Sequence, residues 1–235
     1  MRRSAGTTIA DATYARVKKD ILNGHLEPGA KMGFAFLGAR YDVSIGVLRE
    51  VLPRLVEQGL ATAEPQLGYR VVSLSESDLV ALTAAREEIE ALVVAQATRV
   101  GGLSWEAAIV AAHHELARTP QFTSDDDLRE EWLQAHEKFH NVLLDGCGNR
   151  HLVDVAVRLR TISEVYRCWS RDATVRTRRD VAGEHRAIAD AAIARDADLC
   201  AELIRSHIKL TTELLLEHSA TSRADDDSAV DVRSA

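Results

Sequence analysis

No apolar run in the sequence approaches the roughly 20 residues needed to cross a bilayer, and the opening Met-Arg-Arg-Ser-Ala-Gly-Thr-Thr has no apolar signal-peptide core. Both absences predict a cytoplasmic protein without a membrane partner. The 3 cysteines, Cys147, Cys168 and Cys200, are odd in number and show no Cys-x-x-Cys spacing. A disulfide framework and a thiolate zinc knuckle are therefore excluded, and the thiols read as reduced and mostly structural. Positive charge is also short: the formal net charge of -7 excludes a protein that coats nucleic acid. His-Glu-x-x-His, a tandem His-Asp dyad and a glutamate placed as a general base are missing as well.

What charge there is lies unevenly. Residues 1–75 carry 10 Lys+Arg against 7 Asp+Glu, or +3, and residues 76–235 carry 19 against 29, or -10. A mildly basic head on an acidic body suits a specific DNA binder with a separate second domain. The 46% hydrophobic content supports ordinary globular packing.

Hydrophobic periodicity gives the outline of the head. Residues 11–24 read as an amphipathic helix with Tyr14, Val17, Ile21 and Leu22 inward, closed by Asn23-Gly24. After the Pro28-Gly29 turn, a short helix over 34–41, a break at 41–44 and a second helix to Gln58-Gly59 form a helix-turn-helix with Ser44 as N-cap. Leu60–Glu64 and Tyr69–Ser73 read as two short strands around Pro65-Gln66-Leu67-Gly68, a hairpin wing. Pro53, inside the second helix, is expected to kink it.

From Ser75 onward the period is 3.6, with few prolines or glycines inside the segments. Helices are placed over 76–99, 104–118, 125–145, 149–171, 176–195 and 196–217, giving a six-helix bundle. Apolar rows such as Leu79, Leu82 and Ile89, or Leu199, Leu203, Leu210 and Leu214, would face its core. Residues 219–235 are polar, acidic and free of aromatics, so a disordered tail is expected. The fold class is mainly α: a winged helix-turn-helix over 1–75 and an all-α sensor domain over 76–218.

A recognition helix fits the width of the major groove, and residues near its N-terminus meet base edges. Here these are Ser44, Ile45, Gly46 and Arg49. The stretch Val43-Ser-Ile-Gly-Val-Leu-Arg-Glu-Val-Leu-Pro-Arg-Leu-Val-Glu-Gln-Gly-Leu60 resembles the recognition helix of GntR-family regulators, usually Val-Ser-Arg-Thr-Pro-Val-Arg-Glu-Ala-Leu-Arg-Arg-Leu followed by Gly-Leu. Val43, Ser44, Arg49, Glu50, Leu52, Arg54, Leu55, Gly59 and Leu60 match. Ile45 and Gly46 replace the Arg and Thr that hydrogen-bond DNA in the family, which leaves Arg49 as the expected bidentate guanine contact. Arg54 joins it as a candidate, and Lys18, Lys19, Arg40 and Arg70 are candidate phosphate contacts. Taken alone, Arg49 and Arg54 read equally as solvated or paired helix arginines, and for Lys18, Lys19, Arg40 and Arg70 taken singly solvated surface is the stronger reading.

Three later segments place histidine on an apolar face. His136 and His140, four apart, share a helix side with Trp132 and Leu143. His185 stands in the row Val181, His185, Ile188, Ala192, and His207 replaces a core residue between Leu203 and Leu210. Imidazole nitrogens are costly to bury unpaired, and a divalent transition metal would satisfy several at once. Single histidines on such faces are more often hydrogen-bonded to a neighbour, and His25, His113, His114, His151 and His218 are left to that reading.

Resemblance favours the metal. Phe139-His140-Asn-Val-Leu-Leu with Gly148-Asn149, and Glu184-His185-Arg-Ala-Ile188 with Asp196 and His207, resemble the FCD sensor domain of the FadR subfamily of GntR regulators, and Arg86-Glu-Glu-Ile-Glu90 matches its Arg-x-x-Leu-Glu helix. Six sensor helices directly after the wing are similar to the VanR-type branch. The resemblance implies a homodimeric repressor of a palindromic double-stranded DNA operator, controlled by a small organic acid at a metal held by one aspartate and three histidines. The metal is zinc first, with nickel or iron as alternatives. His140, His185 and His207 carry over as ligands. His136 stands at the aspartate position and either completes a four-histidine set or only neighbours the ion. Arg86 either clamps the effector's carboxylate or pairs with Glu90 at i+4 on the helix surface. Two rival readings stay open: a metal-dependent hydrolytic enzyme on a helical bundle, and a regulator whose metal is purely structural.

Overall fold

The computed structural model describes residues 8–124, 129–169 and 179–231, and side chains at 167–169 and 218–231 are not described. The chain falls into two units. The first comprises the described residues up to Ser75 together with Thr161–Trp169, and the second runs over Glu76–Arg160 and resumes after Ser170.

In the first unit, helix α1 (Ile9–Leu22) begins two residues before the expected start at 11. The reason is a capping box that the apolar period does not reveal. Thr8 Oγ1 accepts the Asp11 N–H at 3.0 Å and the Asp11 carboxylate accepts the Thr8 N–H at 3.2 Å, so two otherwise orphaned donors are satisfied. Helices α2 (Phe34–Tyr41) and α3 (Ile45–Glu57) flank Asp42, which turns the chain at φ 55°. Ser44 caps α3 as expected, accepting the Val47 N–H at 3.4 Å. Pro53 does not interrupt α3: it lies on the exposed side, and the bond it cannot make is the one to the Arg49 carbonyl. Strands β1 (Ala61–Glu64) and β2 (Gly68–Val71) pair antiparallel with Ala61 opposite Val71 and Glu64 opposite Gly68. Val17, Ile21, Leu37, Leu48, Leu52, Leu55 and Leu60 are fully buried, and Val165 joins their core. A mainly helical unit ending in a two-stranded hairpin is the winged-helix arrangement predicted.

The second unit holds α4 (Glu76–Val100), α5 (Leu103–Arg118), α6 (Glu130–Asp145), α7 (Arg150–Trp169), α8 (Val181–Ile193) and α9 (Ala197–Asp231). The terminal half of α7, from Thr161, belongs to the first unit. The expected helix ends at 125–128, 170–171 and 176–178 lie outside the described residues. α8 starts where Asp180 Oδ1 accepts the Gly183 N–H at 2.8 Å. α9 corrects the expected boundary at 218, since its backbone stays helical to Asp231. Once a helix is nucleated, each added residue costs little, so polar composition alone does not end it. Residues 232–235 of the expected tail, and the side chains of Cys168 and His218, lie outside the description.

α9 packs along α4, and Ile109, Phe139, Leu143, Leu144, Ile188, Ile204 and Ile208 fill the space between the helices. The inward row of α9 also needs correction. Cys200, Ile204, His207, Ile208 and Leu215 are buried, whereas Leu199 and Leu210 stand on the exposed side. Among equally leucine-rich rows, the one that wins is fixed by the helix the segment meets, which periodicity does not state. Cys147 and Cys200 are buried free thiols, and burial raises Cys200 to about 11.

Candidate metal centre and nucleic-acid interface

His136 and His140 sit one turn apart on α6, His185 near the start of α8, and His207 on α9. All four are buried, and one ring nitrogen from each lies within 4.8 Å of the others. The Nε2 atom of His140 is 3.2 Å from that of His136 and 3.3 Å from that of His185. Nitrogens each about 2.0–2.1 Å from a tetrahedral ion would stand about 3.3 Å apart; the His140–His136 and His140–His185 pairs stand at that spacing, and a set of imidazoles suits a divalent transition metal. His136, the position at which the family resemblance implied an aspartate, is brought into the group. Its ring stacks on Trp132 at 4.9 Å between centroids and 22° between planes. His113 and His151 are not brought in.

The electrostatics favour the neutral form of His140, His185 and His207, the form a metal requires. Burial drives His140 well below its usual value and His185 to about 2. His207 is also lowered by burial, against the opposing pull of Glu184. Burial alone would raise the Glu184 carboxyl, yet hydrogen bonds from His207 and Arg179 bring it down to about 2. An ionised carboxylate only accepts, so His207 Nδ1 carries the hydrogen of its 2.8 Å bond to Glu184 Oε2 and its Nε2 keeps a lone pair. Arg179 holds Glu184 in turn, with Nε and Nη2 each 2.6 Å from a carboxylate oxygen. Sequence reasoning missed both roles. The adjacent Glu184-His185 pair was the available signal, but Glu184 serves the histidine of another helix.

Arg86 makes the i+4 pair with Glu90, donating from Nε at 2.6 Å, but in the interior rather than on the helix surface. A second guanidinium, Arg160 of α7, donates through Nη1 to the other Glu90 oxygen at 3.1 Å. Glu90 is held ionised, its burial outweighed by the two arginines. A cavity of about 260 Å³ lies against the flank of the cluster, lined by Leu116, Trp132, Val181, His113, His185 and Arg186.

On the other unit, Ser44, Ile45, Gly46 and Arg49 all lie exposed at the N-terminal turn of α3. Arg49 makes no ion pair or hydrogen bond with any described residue. The other arginines singled out from the sequence are engaged within the unit. Arg54 Nη1 pairs with Asp11 at 2.9 Å and its guanidinium covers the Tyr14 ring at 4.5 Å. Arg40 donates from Nε and Nη2 to Asp20 at 2.9 and 2.8 Å. Arg70 bonds Glu64 at 3.1 Å and the Gly29 carbonyl at 3.0 Å. Of these four arginines, Arg49 is the one with its donors uncommitted.

Residues 9–71 match the bacterial regulatory proteins of the gntR family, and residues 81–210 match the FCD domain. The chain is 34% identical over 198 residues to the HTH-type transcriptional repressor GlaR of Escherichia coli, covering 83% of this chain and 90% of that protein. It is 33% identical over 208 residues to the HTH-type transcriptional regulator BphR of Paraburkholderia xenovorans, covering 86% and 83%. Among solved structures, E. coli McbR/YncC superposes with a TM-score of 0.74 at 17% identity, covering 90% of this chain and 99% of that one, which speaks for the fold.

Proposed function

Because the chain belongs to the GntR family of bacterial regulators and carries an FCD domain, we propose that it is an effector-controlled repressor. In this reading a small carboxylate acts at a divalent metal held by His136, His140, His185 and His207 to control operator binding. The DNA-binding regulator follows from the family. The metal and the acid rest on one observation: four buried imidazoles from three helices converge within 4.8 Å. Four uncharged ligands would leave a divalent ion's charge uncompensated, which favours an anion at its open positions.

When bound, the ion would supply a Lewis-acidic centre of positive charge; zinc is the first expectation, nickel or iron the alternatives. The protein's own groups do the rest. Glu184 fixes the His207 tautomer, Trp132 orients His136, and burial keeps water and protons from the nitrogens. On the DNA side, Ser44, Ile45, Gly46 and Arg49 would meet base edges, with Arg49 reading guanine. Two copies related by a two-fold axis would bind a palindromic operator, and an acid that favours one arrangement of the dimer would shift its occupancy.

The test is elemental analysis of protein purified without chelator or histidine tag, followed by an operator-shift assay across small organic acids and light-scattering measurement of oligomeric state. About one metal per chain, with release of DNA by an acid that is not consumed, is the expected result. Consumption of the acid would instead indicate an enzyme. A bound metal with no acid altering DNA affinity would leave the ion structural.

A further inference from the structure

The exposed face of α3 carries an aliphatic side chain beside its uncommitted arginine. Val43 and Val47 pack against the core of the first unit, whereas Ile45 between them stands outside that core and is 52% exposed. A single exposed aliphatic group is ordinary on a protein surface. Its place is what counts here: Arg49 follows at i+4, so both side chains rise from the same side of the helix.

Gly46 adds a second observation. Its backbone lies outside the left-handed region, and a Cβ built on it would meet only Ser44 Oγ, at 3.5 Å, an ordinary contact. Among the described residues nothing requires glycine at this position, and alanine suits a helix better. A residue without a side chain next to an exposed aliphatic one lets the backbone approach an outside surface closely, and so brings the aliphatic group onto that surface.

On the base edges of the major groove the apolar feature is the C5-methyl group of thymine. Residues four apart are separated by about 6 Å along a helix axis, and bases along one strand by about 3.4 Å, so Ile45 and Arg49 reach bases within about two steps of each other. We propose that Ile45 seats on the methyl group of a thymine within two base pairs of the guanine read by Arg49, with Gly46 giving the clearance that this contact needs. This rests on the reading of α3 as the helix in the major groove and adds a second base that it recognises. The preference comes from burial of apolar surface without a hydrogen bond, and cytosine at the same place offers no methyl group.

The test uses the full-length chain at fixed salt. A duplex is selected from a random library by the wild-type protein, and each of its thymines in turn is replaced by deoxyuridine, which keeps the base pair and removes only the methyl group. Affinity is then measured for wild type, Ile45→Ala, Gly46→Ala and Arg49→Ala. At least one thymine within two base pairs of a guanine should prove sensitive, with deoxyuridine weakening wild-type binding about fourfold, the value of one buried methyl group. The same replacement should leave Ile45→Ala unaffected, because side chain and methyl are partners in one contact. Ile45→Ala should keep the guanine preference that Arg49→Ala loses, and Gly46→Ala should bind more weakly with no loss of thermal stability. The deoxyuridine series on wild type needs no variant protein, so it decides the matter even where a substituted chain fails to fold. No effect of deoxyuridine at any thymine, an equal loss in Ile45→Ala, or wild-type affinity in Gly46→Ala would each overturn the assignment. Failure of the underlying reading is separate: if Arg49→Ala keeps its guanine preference, α3 is not the reading helix, whereas loss of that preference without any thymine-methyl effect rejects the role of Ile45 alone.

Discussion

Arg49 is the residue on which sequence discrimination should rest, since Arg40, Arg54 and Arg70 are engaged with Asp20, Asp11 and Glu64. Arg49→Ala should cost about 1–3 kcal/mol of operator preference over random DNA at fixed salt, with folding and metal content unchanged. An unaltered preference in competition binding would mean that α3 does not read the operator through this side chain. Arg54→Ala should leave discrimination intact and lower stability only slightly, because a half-exposed pair contributes little. At the other site, His136→Asp should retain metal while weakening the acid response, since an added negative charge beside the ion repels an anion. If metal titration gives the same affinity for wild type, His136→Asp and His136→Ala, His136 is not a ligand.

The cluster also fixes a pH dependence for the metal-free protein. His140, His185 and His207 titrate below the ordinary imidazole value in the fold, so the unfolded chain takes up protons first as pH falls. Stability is then full above about pH 6.5 and is lost below it, by up to about 1.4 kcal/mol per pH unit for each histidine that stays neutral. Melting temperature of chelator-treated protein should fall steadily from about pH 7.5 to about pH 5. His140→Ala would make that slope shallower, and a slope identical to wild type would count against the buried neutral histidine.

Among the elements, the turn after α3 has the tightest tolerance. Gly59 holds φ +73°, and a Cβ there would stand 2.5 Å from Ile162 Cγ1 within the same unit. Gly59→Ala should destabilise that unit by more than the 1–2 kcal/mol of the left-handed conformation alone. Adding Ile162→Ala should relieve the crowding but not the backbone cost, and full recovery in calorimetry would contradict that split. The helices themselves were legible from the sequence, because the 3.6 period, Ser44 and the Gly59 stop are local signals. So were the four histidines, through i+4 spacing and apolar neighbours. Other features were not. The Thr8–Asp11 box lies outside the apolar period, the inward row of α9 depends on its packing partner, and Glu184–His207 and Glu90–Arg160 join residues 23 and 70 positions apart. Local patterns carry helix faces; which faces meet is a property of the fold.

For the whole molecule, the feature with the widest reach is that the winged-helix unit is not one continuous stretch of chain: Thr161–Trp169, the end of α7, belongs with the described residues up to Ser75, and Val165 is fully buried in the same core as Val17, Leu48 and Leu55. A core drawn from two distant stretches is incomplete when either is missing, so the unit cannot be excised intact at the end of its wing. Val165→Ala should lower the stability of this unit by about 0.5–3 kcal/mol, and a fragment ending at Ser75 should melt at a lower temperature than the same unit in the full chain. A fragment with unchanged melting and DNA affinity would mean that the distant stretch adds nothing to the core it joins.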